Sequence, residues 1–83
     1  MKKTNNFSKE ENKAFTKVRQ QIAKANHRKM SEIKFYDYEI AAYENIWYVV
    51  TYEKIFCGEI MKDRIAARFE NGEIVEMVNG FDC

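Results

Sequence analysis

Phe69-Glu70-Asn71-Gly72-Glu73-Ile74 decides how the second half of this chain folds. A two-residue hairpin turn that follows the natural twist of its strands needs positive φ at both central positions, which asparagine and glycine tolerate. A turn at Asn71-Gly72 sets Glu70 opposite Glu73 and Phe69 opposite Ile74, making 60–69 and 73–78 paired strands. Taken alone, 60–69 is ambiguous. Met61, Ile65 and Phe69 recur every four residues, as on a helix, while Met61, Asp63, Ile65, Ala67 and Phe69 share one face of a strand. The turn resolves it as a strand. The opposed glutamates cost roughly a few tenths of a kcal/mol at an exposed position, too little to undo the pairing.

Upstream of that hairpin the same chemistry continues. From Ser31 onward the chain is rich in aromatic and β-branched residues, which suit a pleated surface. The stretches 33–41 and 46–55 read as two further strands, joined through Tyr43-Glu44-Asn45, with Gly58 marking the next turn. Before Ser31 the pattern is helical. Ser8 followed by Glu11 has the form of a capping box, so a helix should begin near Lys9. Ala14, Phe15, Val18, Ile22 and Ala25 fall on one arc of about 100°, the width of a core-facing stripe, and carry the helix to Arg28 or Lys29. Residues 1–6 read as a flexible arm, 8–29 as helix and 32–79 as sheet. One helix ahead of four sequential strands predicts an α+β domain with the helix packed on a four-stranded antiparallel meander.

By this architecture the chain resembles the cystatin-type arrangement. Arg68-Phe69-Glu70-Asn71-Gly72-Glu73-Ile74-Val75-Glu76 is similar to the last hairpin of many proteins with an NTF2-like fold. That likeness covers about a tenth of the chain and implies no function.

Eighty-three residues, 46% hydrophobic and 33% charged, make a single folding domain. The start, Met1-Lys2-Lys3-Thr4-Asn5-Asn6, runs into polar residues where an export signal needs an apolar stretch. The longest apolar run, 46–50, is far below the roughly 20 residues that span a bilayer. A cytoplasmic setting without membrane contact is therefore expected, with Cys57 and Cys83 as free structural thiols. A lone histidine, His27, no zinc-ligand spacing and three scattered glycines predict neither a metal site nor a phosphate loop. No cofactor and no catalysis are expected. Asp63 and Arg64, in a strand that otherwise buries Met61, Ile65 and Phe69, imply an internal ion pair or a partner contact.

Charge is sharply segregated. Residues 1–30 hold nine Lys or Arg against two acids, a net +7, and residues 31–83 hold five against eleven, a net −6. Lys9, Lys13, Lys17, Lys24 and Arg28 share a helix arc opposite the apolar stripe, a docking strip for phosphates or an acidic protein surface. On the strands, Tyr36, Tyr38 and Ile40 share a face, as do Tyr48, Val50 and Tyr52. Because one helix covers only one side of the sheet, the expectation is that this tyrosine face stays open, where hydroxyls meet water. The sequence thus predicts a small protein-binding adaptor or inhibitor that occludes a partner's surface through Lys13, Lys17, Lys24, Arg28, Tyr36, Tyr38, Tyr48 and Tyr52. The partner would be another protein or a protein–nucleic acid complex. In composition the chain resembles small accessory proteins of bacteria with AT-rich genomes or of their phages, among them inhibitors of host nucleases and defence complexes. The alternatives are a nucleic-acid-binding module using the basic helix and a homodimer joined through the tyrosine face.

Overall fold

A computed structural model describes residues 2–3, 7–42 and 44–79, and within it one helix lies across an antiparallel sheet. Helix α1 spans Lys9–Ala25. Its start is the expected capping box: the Glu11 amide donates to Ser8 Oγ at 3.2 Å, and the Ser8 amide donates to Glu11 Oε1 at 2.7 Å. Two helix-end donors are satisfied reciprocally.

The helix ends at Ala25, three residues or more before the expected 28–29. Asn26 caps it by donating from Nδ2 to the Ile22 carbonyl at 2.8 Å. His27 then adopts φ 54°, its amide donating to the Lys24 carbonyl, while the Arg28 amide donates to the Ala23 carbonyl. This is the Schellman ending, in which a left-handed residue lets the chain turn back on the last helical turn. Glycine usually fills that place, and periodicity alone gave no warning that a histidine would. His27→Gly is accordingly expected to stabilise the fold by about 0.5–1 kcal/mol, read from the midpoint of urea denaturation.

A short 3-10 turn, Met30–Glu32, leads into the sheet. The strands are β1 (Lys2–Lys3), β2 (Lys34–Ala42), β3 (Ile46–Phe56), β4 (Glu59–Glu70) and β5 (Glu73–Asn79), in spatial order β1-β2-β3-β4-β5 and all antiparallel. The four long strands are those expected, within two residues at each end. Of the expected arm 1–6, only the backbone of Lys2–Lys3 lies within the described residues, pairing with Ile40 and Glu39. At the second hairpin Phe69 faces Ile74 and Glu70 faces Glu73, with Asn71 at φ 54° and Gly72 at φ 77°. Both turn residues have the positive φ that this turn demands.

Asp37 sets the sheet's sidedness. It sits at φ 56°, and the register slips there, with Tyr36 opposite Thr51 but Tyr38 opposite Val50. One extra residue in a strand reverses the alternation beyond it. Phe35, Tyr38 and Ile40 therefore point to the helix side, whereas Tyr36 points to the other.

The core lies between α1 and the sheet. Phe15, Val18 and Ile22 of the helix pack with Ile33, Val50, Tyr52, Ile65 and Ala67, and Phe35, Tyr38, Ile40, Tyr48, Phe69 and Ile74 close the margins. The tyrosine face is thus the covered one, contrary to the expectation from sequence. The hydroxyls of Tyr38 and Tyr52 reach polar partners at the seam. Arg19 Nη1 donates to the Tyr38 hydroxyl at 3.1 Å with its guanidinium over the ring, and the Tyr52 hydroxyl donates to Asp63 Oδ2 at 3.2 Å. The Phe15 ring lies 5.3 Å from both the Tyr38 and Tyr48 rings, tilted to one and edge-on to the other, within the range where aromatic pairs attract. Burial raises the pKa of both Tyr48 and Tyr52, with Glu11 and Glu10 adding to it for Tyr48.

The other face of the sheet holds a smaller cluster, Ala41, Val49 and Ala66, with Trp47 packed against it. Beside it the buried carboxylate of Glu39 accepts from Arg64 Nη2 at 2.7 Å. The ion pair foreseen for Arg64 exists, but Asp63 is not its partner. Neighbours along a strand point to opposite faces, and Asp63 serves Tyr52 on the helix side.

Candidate binding surfaces

The helix strip is partly as expected. Lys9, Lys13, Lys17 and Lys24 are exposed on α1 opposite the core. Lys17 turns toward the sheet, donating from Nζ to the Gly72 carbonyl at 2.6 Å and standing 3.7 Å from Glu73 Oε1. It ties the helix to the β4–β5 turn, and together with Glu10, Lys13, Ala14, Phe69 and Gly72 it lines a groove of about 190 Å³. Arg28, beyond the helix end, stands 3.7 Å from Glu32. Among the described residues Lys9, Lys13 and Lys24 make no ion pair.

The four tyrosines do not form a surface. Tyr38, Tyr48 and Tyr52 belong to the helix–sheet seam. Tyr36, on the opposite face, is half-buried; its hydroxyl donates to Glu53 at 2.9 Å and the ammonium groups of Lys34 and Lys62 stand 5.8 and 5.1 Å from its ring centre. Contact with Tyr36 holds the Lys62 ammonium's pKa above its ordinary value.

The two most exposed large apolar side chains, Ile60 and Ile55, lie outside both surfaces expected from the sequence. Among the described residues β2 pairs with β3 no further than Glu53, and β5 with β4 no further than Ile65, so the end of the β3–β4 hairpin runs past the described parts of both neighbours. There Ile55 faces Ile60 across the ribbon, at 64% and 72% exposure, and Met61 is 45% exposed. Met61 had been expected in the core. Its place on the strand's inner face is right, but the helix does not extend over it. The turn itself is Cys57-Gly58, at φ 53° and 79°. Cys57 is free and exposed rather than packed as a structural thiol, and Cys83 lies outside the described residues, as does Tyr43. A signal was present in the strand lengths: 46–55 and 60–69 overhang 33–41 and 73–78 when all are laid in register.

Among the described residues no group of three His, Cys, Asp or Glu could hold a metal ion, and no helix is long and apolar enough to cross a membrane. Comparison with known proteins finds no matching family model, curated protein or solved structure.

Proposed function

We propose that this chain is a small protein-binding adaptor or inhibitor that acts by occupying its partner's surface, with the projecting β3–β4 hairpin as the inserted element. The observation that carries the reading is the exposed cross-strand pair Ile55 and Ile60, flanked by Met61, at the end of a ribbon that extends past the described parts of both neighbouring strands. Each such side chain gains roughly 1.5–3 kcal/mol when moved fully out of water. Leaving three of them exposed at one tip is an expense that a binding site recovers on association. The ribbon is also well suited to insertion. Its backbone is paired across Lys54–Met61, Ile55–Ile60 and Phe56–Glu59, so little order has to be imposed on binding. The partner's complement is an apolar cleft wide enough for two strands.

The test places a photo-crosslinking amino acid at Ile60 and, as control, at Gln20 on the helix. A crosslinked protein partner is expected from the first and not the second. Ile60→Ser should then weaken capture of that partner by about 10- to 100-fold without lowering the thermal midpoint, because the side chain packs against nothing in the core. Equal capture by Ile60→Ser would remove the hairpin from the interface.

A further inference from the structure

The helix strip has a chemistry unlike that of the hairpin, and we infer that it binds the sugar–phosphate backbone of double-stranded DNA, independently of the hairpin's role. Its outward residues are Lys9, Asn12, Lys13, Thr16, Lys17 and Gln20, which line one shallow groove along α1, followed by Lys24. Each of these side chains carries a hydrogen-bond donor and none is aromatic; Thr16 donates to the Asn12 carbonyl, Asn12 to the Phe7 carbonyl and Lys17 to the Gly72 carbonyl, which leaves Lys9, Lys13, Gln20 and Lys24 directed outward. Protein interfaces are enriched in aromatic residues, Met and Arg at their centres and depleted in Lys, so this strip lacks the anchors a protein partner would need. Single-stranded nucleic acid is held by stacking on aromatic rings, and the strip offers none. What remains is a row of cations and amides facing a rigid row of phosphates.

With a rise of 1.5 Å per residue, Lys9 and Lys13 lie about 6 Å apart along the helix and Lys24 about 16 Å beyond Lys13, so the three cations spread along one face rather than crowding one phosphate. The acidic remainder of the molecule does not prevent this contact. It lies behind the helix, whose diameter of about 10–12 Å matches the screening length at roughly 0.1 M salt. Glu10 lies on the strip's flank, lining a groove with Lys13 and Lys17, Glu11 is turned to the helix start by Ser8, and Glu73 holds Lys17. Three cations, Lys9, Lys13 and Lys24, are therefore counted as engaging phosphates.

Fluorescence anisotropy of the full chain with a labelled DNA duplex of about 20 base pairs tests this. Three phosphate contacts predict a slope of log K on log salt of about −2.7, an affinity loss of about 40-fold between roughly 50 and 200 mM salt. Lys13→Gln and Lys24→Gln should each reduce the slope by about one. The triple variant Lys9→Gln, Lys13→Gln, Lys24→Gln should lose binding while keeping its thermal midpoint, and Ile60→Ser should bind the duplex as the unaltered chain does. Absence of binding at low salt, full binding by the triple variant, or tighter binding of a single strand or an RNA duplex of the same length would each overturn the assignment.

Discussion

Tyr52→Ala is expected to remove about 3–5 kcal/mol of stability, the cost of deleting a large aromatic ring from a core that cannot close around the void. A domain of this length holds about 4–12 kcal/mol in all, so the variant should be largely or marginally unfolded at ambient temperature. Tyr52 is 2% exposed and packs among Ile22, Ile33, Val50 and Ile65, with the Phe35 ring 6.2 Å away. Tyr52→Phe keeps the ring and loses the hydroxyl with its polar contacts to Asp63 and Asn26, and should cost about 1 kcal/mol. Urea denaturation of the two variants separates the readings of this residue. If Tyr52 were the exposed binding residue that alternation implies, both substitutions would leave the midpoint unchanged.

The second large effect is expected on the opposite face. Arg64→Met takes the guanidinium from the Glu39 carboxylate, whose side chain is 7% exposed, while that of Arg64 is 30% exposed. Removing one partner of a buried pair costs about 3–5 kcal/mol; with Arg64 partly in water, about 2–4 kcal/mol is expected. Glu39→Leu together with Arg64→Met should regain part of it, since the two charges of the pair are then removed together. Comparing the four proteins in a double-mutant cycle gives the coupling directly. A coupling near zero would mean that Glu39 is satisfied without Arg64.

Much of the fold was legible because its signals are local. Ser8 with Glu11 marks a helix start within four residues, and Asn71-Gly72 sets Glu70 against Glu73 and Phe69 against Ile74, although beyond Phe69 the register shifts and Arg68 faces Glu76. The sidedness of the sheet was not, for a physical reason. Both faces of β2 and β3 carry apolar residues, so alternation sorts the side chains into two sets without ranking them. The bulge at Asp37 then exchanges the sets partway along β2, separating Tyr36 from Tyr38, and nothing in Tyr36-Asp37-Tyr38 announces it. Arg19 and Asp63 supply polar partners to the Tyr38 and Tyr52 hydroxyls at the seam, so neither needs the wet face. The basic strip was readable from helical periodicity alone, although the engagement of Lys17 by the Gly72 carbonyl depends on how the helix lies on the sheet. The apolar hairpin tip required comparing strand lengths across the whole sheet, since Ile55 and Ile60 in isolation are ordinary strand residues.

Strand order that follows chain order has a kinetic consequence. Among the four long strands every partner is the next segment along the chain, so each pairing closes a small loop and little chain entropy is spent before contacts form. The β3–β4 hairpin sits at the centre of that series and offers a free edge to each neighbour, so the sheet can grow outward in both directions from one locally formed ribbon. Contacts of such short sequence separation belong to the faster-folding mixed α/β domains, and the tip that carries the exposed Ile55 and Ile60 is part of the ribbon best placed to form first.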